Sequence, residues 1–161
     1  MIQNLPLGTS DFSALRQFDE IYVDKTELIY DLASQKSKYF FVRPRRFGKS
    51  LLISTFESLF KYGLKEFRGL AIEGLYKNET KYLVVKFDFS EAKYFSSPEE
   101  FSERLASLIV RNFSRVGFSY VPGSAESIFY QWSEWLKTLD SNSLVVLVDE
   151  YDSPQTYCLG Q

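Results

Sequence analysis

Residues 39–60, YFFVRPRRFGKSLLISTFESLF, carry the most informative pattern in the sequence. Its first four residues are an apolar run, which predicts a short strand buried on both faces. A basic loop follows, and Leu52, Phe56 and Leu59 then recur at the spacing of one helical face. The stretch therefore predicts a buried strand, a tight loop and a helix that packs against a sheet.

The loop ends in Gly48-Lys49-Ser50, which matches the end of the phosphate-binding pattern G-x-x-x-x-G-K-[ST]. Glycine lets a phosphate approach the backbone, and the helix N-terminus attracts its negative charge. The lysine can reach the β- and γ-phosphates, and the serine hydroxyl can coordinate Mg²⁺. Arg43 stands where the pattern has its first glycine, and Pro44 stiffens the loop. The predicted nucleotide-binding residues are Arg43, Arg45, Arg46, Phe47, Gly48, Lys49, Ser50 and Leu51.

Two other interpretations of this loop stay open. It could be a solvated basic loop before an ordinary helix, or Arg43, Arg45 and Arg46 could form a nucleic-acid contact surface. The net charge of −2 argues against a general nucleic-acid binder. The strand predicted before the loop and the helix predicted after it favour phosphate binding.

Composition narrows the class of protein further. With 161 residues, of which 45% are apolar, the chain has the length of one domain and enough apolar side chains for a core. It contains neither an apolar run as long as a membrane span nor a signal peptide at its start. A single cysteine, Cys158, excludes an internal disulfide and fits a cytoplasmic protein. The absence of histidine excludes Ser-His-Asp and Cys-His catalysis, so chemistry must come from carboxylates, lysine, arginine, hydroxyls or a metal.

A second candidate half-site follows the apolar run at residues 144–148, which predicts a strand ending in Asp149 and Glu150. This is the Walker B pattern. Asp149 would hold Mg²⁺ together with Ser50, and Glu150 would act as a general base toward water. Glu150 and Lys49 are therefore the predicted catalytic residues, and Glu150 favours ATP hydrolysis over a GTP switch. Asp152 would either join the metal shell or cap the next turn.

The remaining elements follow from local signals. Residues 82–89 predict a second strand, with Asp88 near its end as a loop cap or, alternatively, a residue that approaches the ligand. Ser97-Pro98-Glu99-Glu100 predicts a helix start, and Ser124 predicts another. The second of these helices carries two tryptophans, for which core packing is favoured over base stacking. Shorter helices are predicted within residues 11–18 and after Asp24 or Thr26, either of which could be the cap.

Four segments together resemble a known family: LPLGTSDFSALR at 5–16, YVDKT at 22–26, RPRRFGKS at 43–50 and LVDEYDSP at 147–154. They look like the AAA-ATPase-like family of bacterial P-loop proteins. The resemblance covers nearly the whole chain and accounts for the arginine-proline form of the loop. It implies a three-layer α/β/α P-loop NTPase fold with a parallel sheet, and ATP and Mg²⁺ as cofactors. The domain would span residues 1–161, with a lead-in at 1–38 and the P-loop core at 39–161.

The resemblance also implies a strand order of 5-1-4-3-2, in which residues 39–42, 82–89 and 144–148 are strands 1, 2 and 3. Strands 4 and 5 would lie beyond Gln161. We therefore expect the chain to be a fragment that is truncated after the Walker B strand and has little ATPase activity alone. Family members usually carry a C-terminal PD-(D/E)XK nuclease-like domain. The implied function is an ATP-binding, ATP-hydrolysing domain that regulates an attached or partner module. The candidate partners are a nuclease-like module or a second copy of the chain. The alternative is a nucleotide-binding regulatory module without turnover.

Overall fold

The computed structural model describes residues 4–35, 37–42, 44, 46–77 and 80–154. The chain divides into two compact units, the first ending at Tyr82 and the second beginning at Leu83. Each unit has its own helices and its own buried apolar residues.

The first unit contains three α-helices: α1 (Phe12–Gln17), α2 (Thr26–Ser34) and α3 (Lys49–Tyr62). The predicted short helix near residue 11 is confirmed, because the Asp11 carboxylate accepts a hydrogen bond from the Ala14 N–H at 2.8 Å and so caps α1. Two 3₁₀ turns follow α3, at Gly63–Glu66 and Ala71–Gly74.

The core of the first unit forms around α1. Phe12 is fully buried, and its ring centroid lies 4.6 Å from that of Phe67 and 5.1 Å from that of Tyr22. Leu15 of α1 and Leu59 of α3 are buried as well. α1 packs against α3. A segment that precedes the basic loop in sequence therefore contacts the helix that follows the loop.

The second unit contains a parallel sheet of two strands, β1 (Leu83–Asp88) and β2 (Leu144–Asp149). Their register pairs Leu83 with Leu144 and Asp88 with Asp149. The two predicted strands and their adjacency are therefore confirmed. Between them lie two helices, α4 (Pro98–Phe113) and α5 (Ala125–Lys137).

Both predicted helix starts in the second unit are confirmed by capping contacts. The Ser97 hydroxyl accepts a hydrogen bond from the Glu100 N–H at 3.2 Å, and Pro98 occupies the first position of α4. The Ser124 hydroxyl accepts one from the Ser127 N–H at 3.3 Å at the start of α5. A short 3₁₀ turn extends α4 and ends at Gly117, whose φ of 105° suits glycine.

Phe113 is the centre of the second core. It is fully buried, with ring centroids at 5.6 Å from Phe87, 5.2 Å from Trp132 and 5.7 Å from Trp135. The prediction that the two tryptophans are core residues is confirmed by these contacts. The T-shaped geometry of both Phe113–tryptophan pairs is one that aromatic rings favour.

The prediction of a buried strand at residues 39–42 is wrong. The segment is not in a strand, and Tyr39, Phe40 and Val42 are 41%, 69% and 75% exposed. An apolar run predicts burial, but a strand also needs a neighbour for its backbone groups. Within the described part of the chain, the strand pairings are β1 with β2 and a single bridge between Asn4 and Glu20.

The observed class is α/β, with helices and a small parallel sheet. The three-layer P-loop arrangement stays a prediction. No helix in the described ranges is long and apolar enough to cross a membrane.

Candidate functional site

The basic loop approaches α3 through two residues in the left-handed region. Arg46 has a φ of 65° and Gly48 a φ of 73°, while Phe47 between them does not have a positive φ. Alternation of this kind turns successive backbone N–H groups toward one concave side, which is how backbone nests bind anions. Arg43 and Arg45, also predicted to bind the nucleotide, lie outside the described residues.

Gly48 is the residue that turns the loop into the helix. It occupies the N-cap position of α3, and its carbonyl accepts the Leu52 N–H at 2.9 Å. Lys49 and Ser50 are consequently the first two residues of α3, in the turn whose N–H groups have no partner within a helix. The positive end of the helix dipole adds to the attraction for an anion at this position.

The polar side chains of the first turn have no competing contacts. In the described ranges, neither the Lys49 ammonium nor the Ser50 hydroxyl makes a hydrogen bond or ion pair, and both residues are half-buried. Arg46 and Phe47 are exposed beside them. Leu51 is the third residue of this turn, and its carbonyl accepts a hydrogen bond from the Thr55 hydroxyl at 2.8 Å. Lys49 and Ser50 thus keep their donors available for a ligand.

The predicted carboxylates Asp149 and Glu150 lie at the end of β2. Asp149 is the last residue of the strand and only 9% exposed. Its Oδ1 accepts a hydrogen bond from the Glu150 N–H at 3.0 Å. Glu150 has a φ of 50°, a left-handed conformation that costs energy for a residue with a side chain. The Glu150 carbonyl accepts the Ser153 N–H at 2.9 Å, so both the N–H and the carbonyl of Glu150 are hydrogen-bonded.

Asp88 lies at the matching position of β1. Its carboxylate accepts the Ser90 N–H at 2.9 Å and thereby caps the 3₁₀ turn Phe89–Ala92. The loop-capping interpretation of Asp88 is confirmed by this contact.

The oxygen donors of Ser50 and Asp149 fit Mg²⁺, which takes hard oxygen ligands and usually keeps several waters and substrate phosphates. Across the described residues, no group of three or more histidine, cysteine, aspartate or glutamate side chains could hold a metal by itself. The basic loop belongs to the first unit, and Asp149 and Glu150 belong to the second.

The YVDKT segment has a role that local patterns did not reveal. The N-cap position of α2 is Lys25, without a side-chain cap, so neither predicted cap occupies it. The Asp24 carboxylate instead accepts the Thr26 N–H at 2.8 Å and its hydroxyl at 2.7 Å. It also accepts the Ala71 N–H at 2.8 Å, and the fully buried Thr26 hydroxyl accepts the Ile72 N–H at 3.0 Å. The segment therefore fastens the start of α2 to the turn Ala71–Gly74.

These contacts shift the acidity of Asp24. Partial burial alone would raise the pKa of its carboxyl, but the hydrogen bonds from Ala71 and Thr26 together lower it below its usual value. The charged form of Asp24 is consequently the one that the fold stabilises.

Comparison with known proteins identifies the class. The family model described as predicted AAA-ATPase matches residues 6–161. The chain belongs to this AAA-ATPase-like family.

One relative is an uncharacterized protein encoded in the vnfD 5′ region of Azotobacter chroococcum mcd 1, with 31% identity over 153 residues. The match covers 94% of this chain and 30% of that relative, so the chain spans about a third of the relative's length. No solved structure matches the chain.

Proposed function

We propose that this chain is an ATP-binding P-loop domain that, within a longer protein, hydrolyses ATP to regulate an attached or partner module. The observation that carries the proposal is the left-handed Gly48 at the start of α3, with Lys49 and Ser50 directly after it. This arrangement supports phosphate binding, because it combines unpaired N–H groups, a helix dipole and an uncommitted ammonium. Family membership supports ATP as the nucleotide.

Each residue then has a defined task. The Lys49 ammonium neutralises charge on the β- and γ-phosphates, while Arg46 adds positive charge beside them. The Ser50 hydroxyl and the Asp149 carboxylate would hold Mg²⁺, which when bound supplies further charge neutralisation at the phosphates. The Glu150 carboxylate, which makes no hydrogen bond in the described ranges, accepts a proton from water.

The first experiment is an ATP titration of the purified chain with Mg²⁺, followed by calorimetry, beside the Lys49→Ala variant. We expect saturable binding by the wild type and at least a tenfold loss in the variant, because the phosphates lose their charge partner. Thermal unfolding of both proteins serves as the folding control. Equal binding by the two proteins would rule out the loop as the phosphate site.

A second experiment separates turnover from binding alone. In a longer protein that contains this chain, Glu150→Gln should retain ATP binding and lose hydrolysis by a factor of about 10² to 10⁴, the usual contribution of a general base. A regulatory module without turnover would show no hydrolysis in the wild type and no effect of the substitution. Salt-sensitive binding of DNA or RNA without nucleotide would instead favour a nucleic-acid surface around Arg46.

The regulated partner forms part of the proposal. The two candidates are a nuclease-like module, which the family resemblance suggests, and a second copy of the chain. Size-exclusion chromatography with light scattering, with and without ATP and Mg²⁺, tests self-association. A nucleotide-independent monomer would leave the attached module as the candidate.

A further inference from the structure

The helix that follows the basic loop has a polar side that is buried. Ser54, Thr55 and Ser58 of α3 are 4%, 1% and 2% exposed. Buried hydroxyls are costly unless they are hydrogen-bonded, and apolar residues would pack there more cheaply. The choice of three polar residues on one side of α3 therefore indicates a requirement beyond burial.

Every one of these hydroxyls contacts a specific partner within the first unit. The Ser54 Oγ accepts the Phe12 N–H at 2.7 Å, which satisfies a donor in the first turn of α1. The Ser58 hydroxyl donates to Glu66 Oε2 at 2.5 Å. The Thr55 hydroxyl donates to the Leu51 carbonyl at 2.8 Å, one turn earlier in α3.

Glu66 connects α3 to α1. The same carboxylate oxygen that accepts the Ser58 hydroxyl also accepts the Ser13 hydroxyl of α1 at 2.6 Å. The Arg16 guanidinium holds this turn in place by donating to the carbonyls of Glu66 at 2.9 Å and Arg68 at 2.6 Å. The segment 5–16, which the nucleotide site leaves unexplained, therefore supplies hydrogen-bonding contacts to α3 both directly and through Glu66.

The spacing of these residues relates them to the candidate phosphate site. Ser50, Ser54 and Ser58 are four positions apart along α3, so they follow one ridge of the helix. A shift of α3 by one residue would rotate this ridge by about 100°. Hydrogen bonds are directional, so those of Ser54 and Ser58 exclude such rotations, whereas apolar contacts tolerate them better.

We infer that Glu66, acting through Ser58 and Ser13 and together with Ser54, is a positioning residue that fixes the rotation of α3 and thereby aims Lys49 and Ser50 at the nucleotide phosphates. The inference rests on the proposed ATP-binding function. It gives the N-terminal segment 5–16 a function in the nucleotide site without requiring that it touch the ligand.

The test compares Glu66→Ala with Glu66→Gln in the 161-residue chain. Alanine removes the acceptor of both serine hydroxyls, whereas the glutamine side-chain oxygen can still accept them. We expect Glu66→Ala to weaken ATP binding about tenfold, since misplaced groups lose much of their effect. Glu66→Gln should bind within twofold of the wild type. The affinity ratio with and without Mg²⁺ should also fall in Glu66→Ala, because Ser50 loses its position.

A matched control removes stability without touching the polar side of α3. Ile29→Val deletes one buried methylene in α2 and should leave ATP affinity unchanged at a temperature where every variant is folded. Where Glu66→Ala fails to fold, Ser58→Ala replaces it, because that variant removes only one of the two hydroxyls that Glu66 accepts.

The outcomes distinguish this inference from the proposed function. Weak binding by Glu66→Ala, with normal binding by Glu66→Gln and Ile29→Val, supports the positioning role. If the wild type binds ATP, Lys49→Ala does not, and Glu66→Ala or Ser58→Ala binds like the wild type, the inference is overturned and the function stands. If the wild type itself binds no ATP, both are overturned.

Discussion

Asp88 and Asp149 form the last register pair of the two parallel strands, so these two residues are neighbours at the carboxyl ends of β1 and β2. Each carboxylate already accepts one backbone hydrogen bond, from Ser90 and Glu150 respectively. The two residues differ in burial, because Asp149 is 9% exposed while Asp88 is half-buried. The two residues occupy matching positions, but we expect Asp149 to hold a metal and Asp88 to cap a turn.

This pair gives the first prediction. Asp149→Asn should weaken Mg²⁺-dependent ATP binding about tenfold, since it removes the anionic metal ligand. Asp88→Asn should leave ATP binding unchanged, because asparagine can still accept the Ser90 N–H and Asp88 has no task at the metal. Calorimetric titration with and without Mg²⁺ measures both variants. Equal losses in the two variants would show that Asp88 belongs to the metal site.

Gly48 gives a prediction about stability and binding together. A Cβ at this position would meet no atom within 4 Å, so the cost of Gly48→Ala comes from the positive φ alone, about 1–2 kcal/mol. Gly48→Asn should cost less, because asparagine tolerates the left-handed region. Both variants should lose ATP affinity, since a side chain obstructs the approach of phosphate to the backbone. Denaturant unfolding measures the loss of stability, and ATP titration measures the loss of affinity. Equal stability of the Gly48→Ala and Gly48→Asn variants would contradict the prediction about stability.

Asp24 gives a prediction about pH. Its folded pKa is lowered, so its contribution to stability is present above the unfolded pKa of about 4 and is lost as the pH falls through the folded value. Asp24→Asn should therefore lower the unfolding temperature at pH 7, with the difference from wild type shrinking at pH 3. Thermal unfolding at the two pH values measures this. A difference that is the same at both would mean that charge is not what Ala71 and Thr26 recognise.

Phe113 gives a prediction with a specific optical readout. Phe113→Ala should lower the free energy of unfolding of the second unit by about 3–5 kcal/mol, the usual cost of removing a buried phenylalanine. Both tryptophans of the chain lie on α5 and touch this ring, so their fluorescence reports on this core alone. Denaturant unfolding followed by tryptophan emission is the measurement. Unchanged emission and midpoint would show that the ring contacts do not support the core.

Local chemistry accounts for the parts of the fold that could be predicted from sequence. A serine followed by proline and glutamate starts α4 because each contact of the cap lies within four residues. The apolar runs of β1 and β2 also predict the two strands directly. Residues 39–42 show the limit, because composition reports the affinity of a segment for a core but not the presence of a neighbouring strand.

The candidate site divides in the same way. Gly48, Lys49 and Ser50 could be identified because phosphate binding requires those residue types at adjacent positions. The partners of Asp24 and Glu66 could not be identified, since Ala71 lies 47 residues from Asp24 and Ser13 lies 53 residues from Glu66. Only folding brings such side chains together, and no short pattern encodes the contact.

The parallel pairing of β1 with β2 has a consequence for how the protein is made. Leu83 pairs with Leu144, so roughly sixty residues must close into a loop before the strands can join, and such closure is entropically costly and slow. At about 5–20 residues per second, the ribosome releases β1 several seconds before its partner. During that interval the apolar strand is an unpaired edge in a nascent chain. The strand is therefore open to aggregation or chaperone binding until β2 has been synthesised.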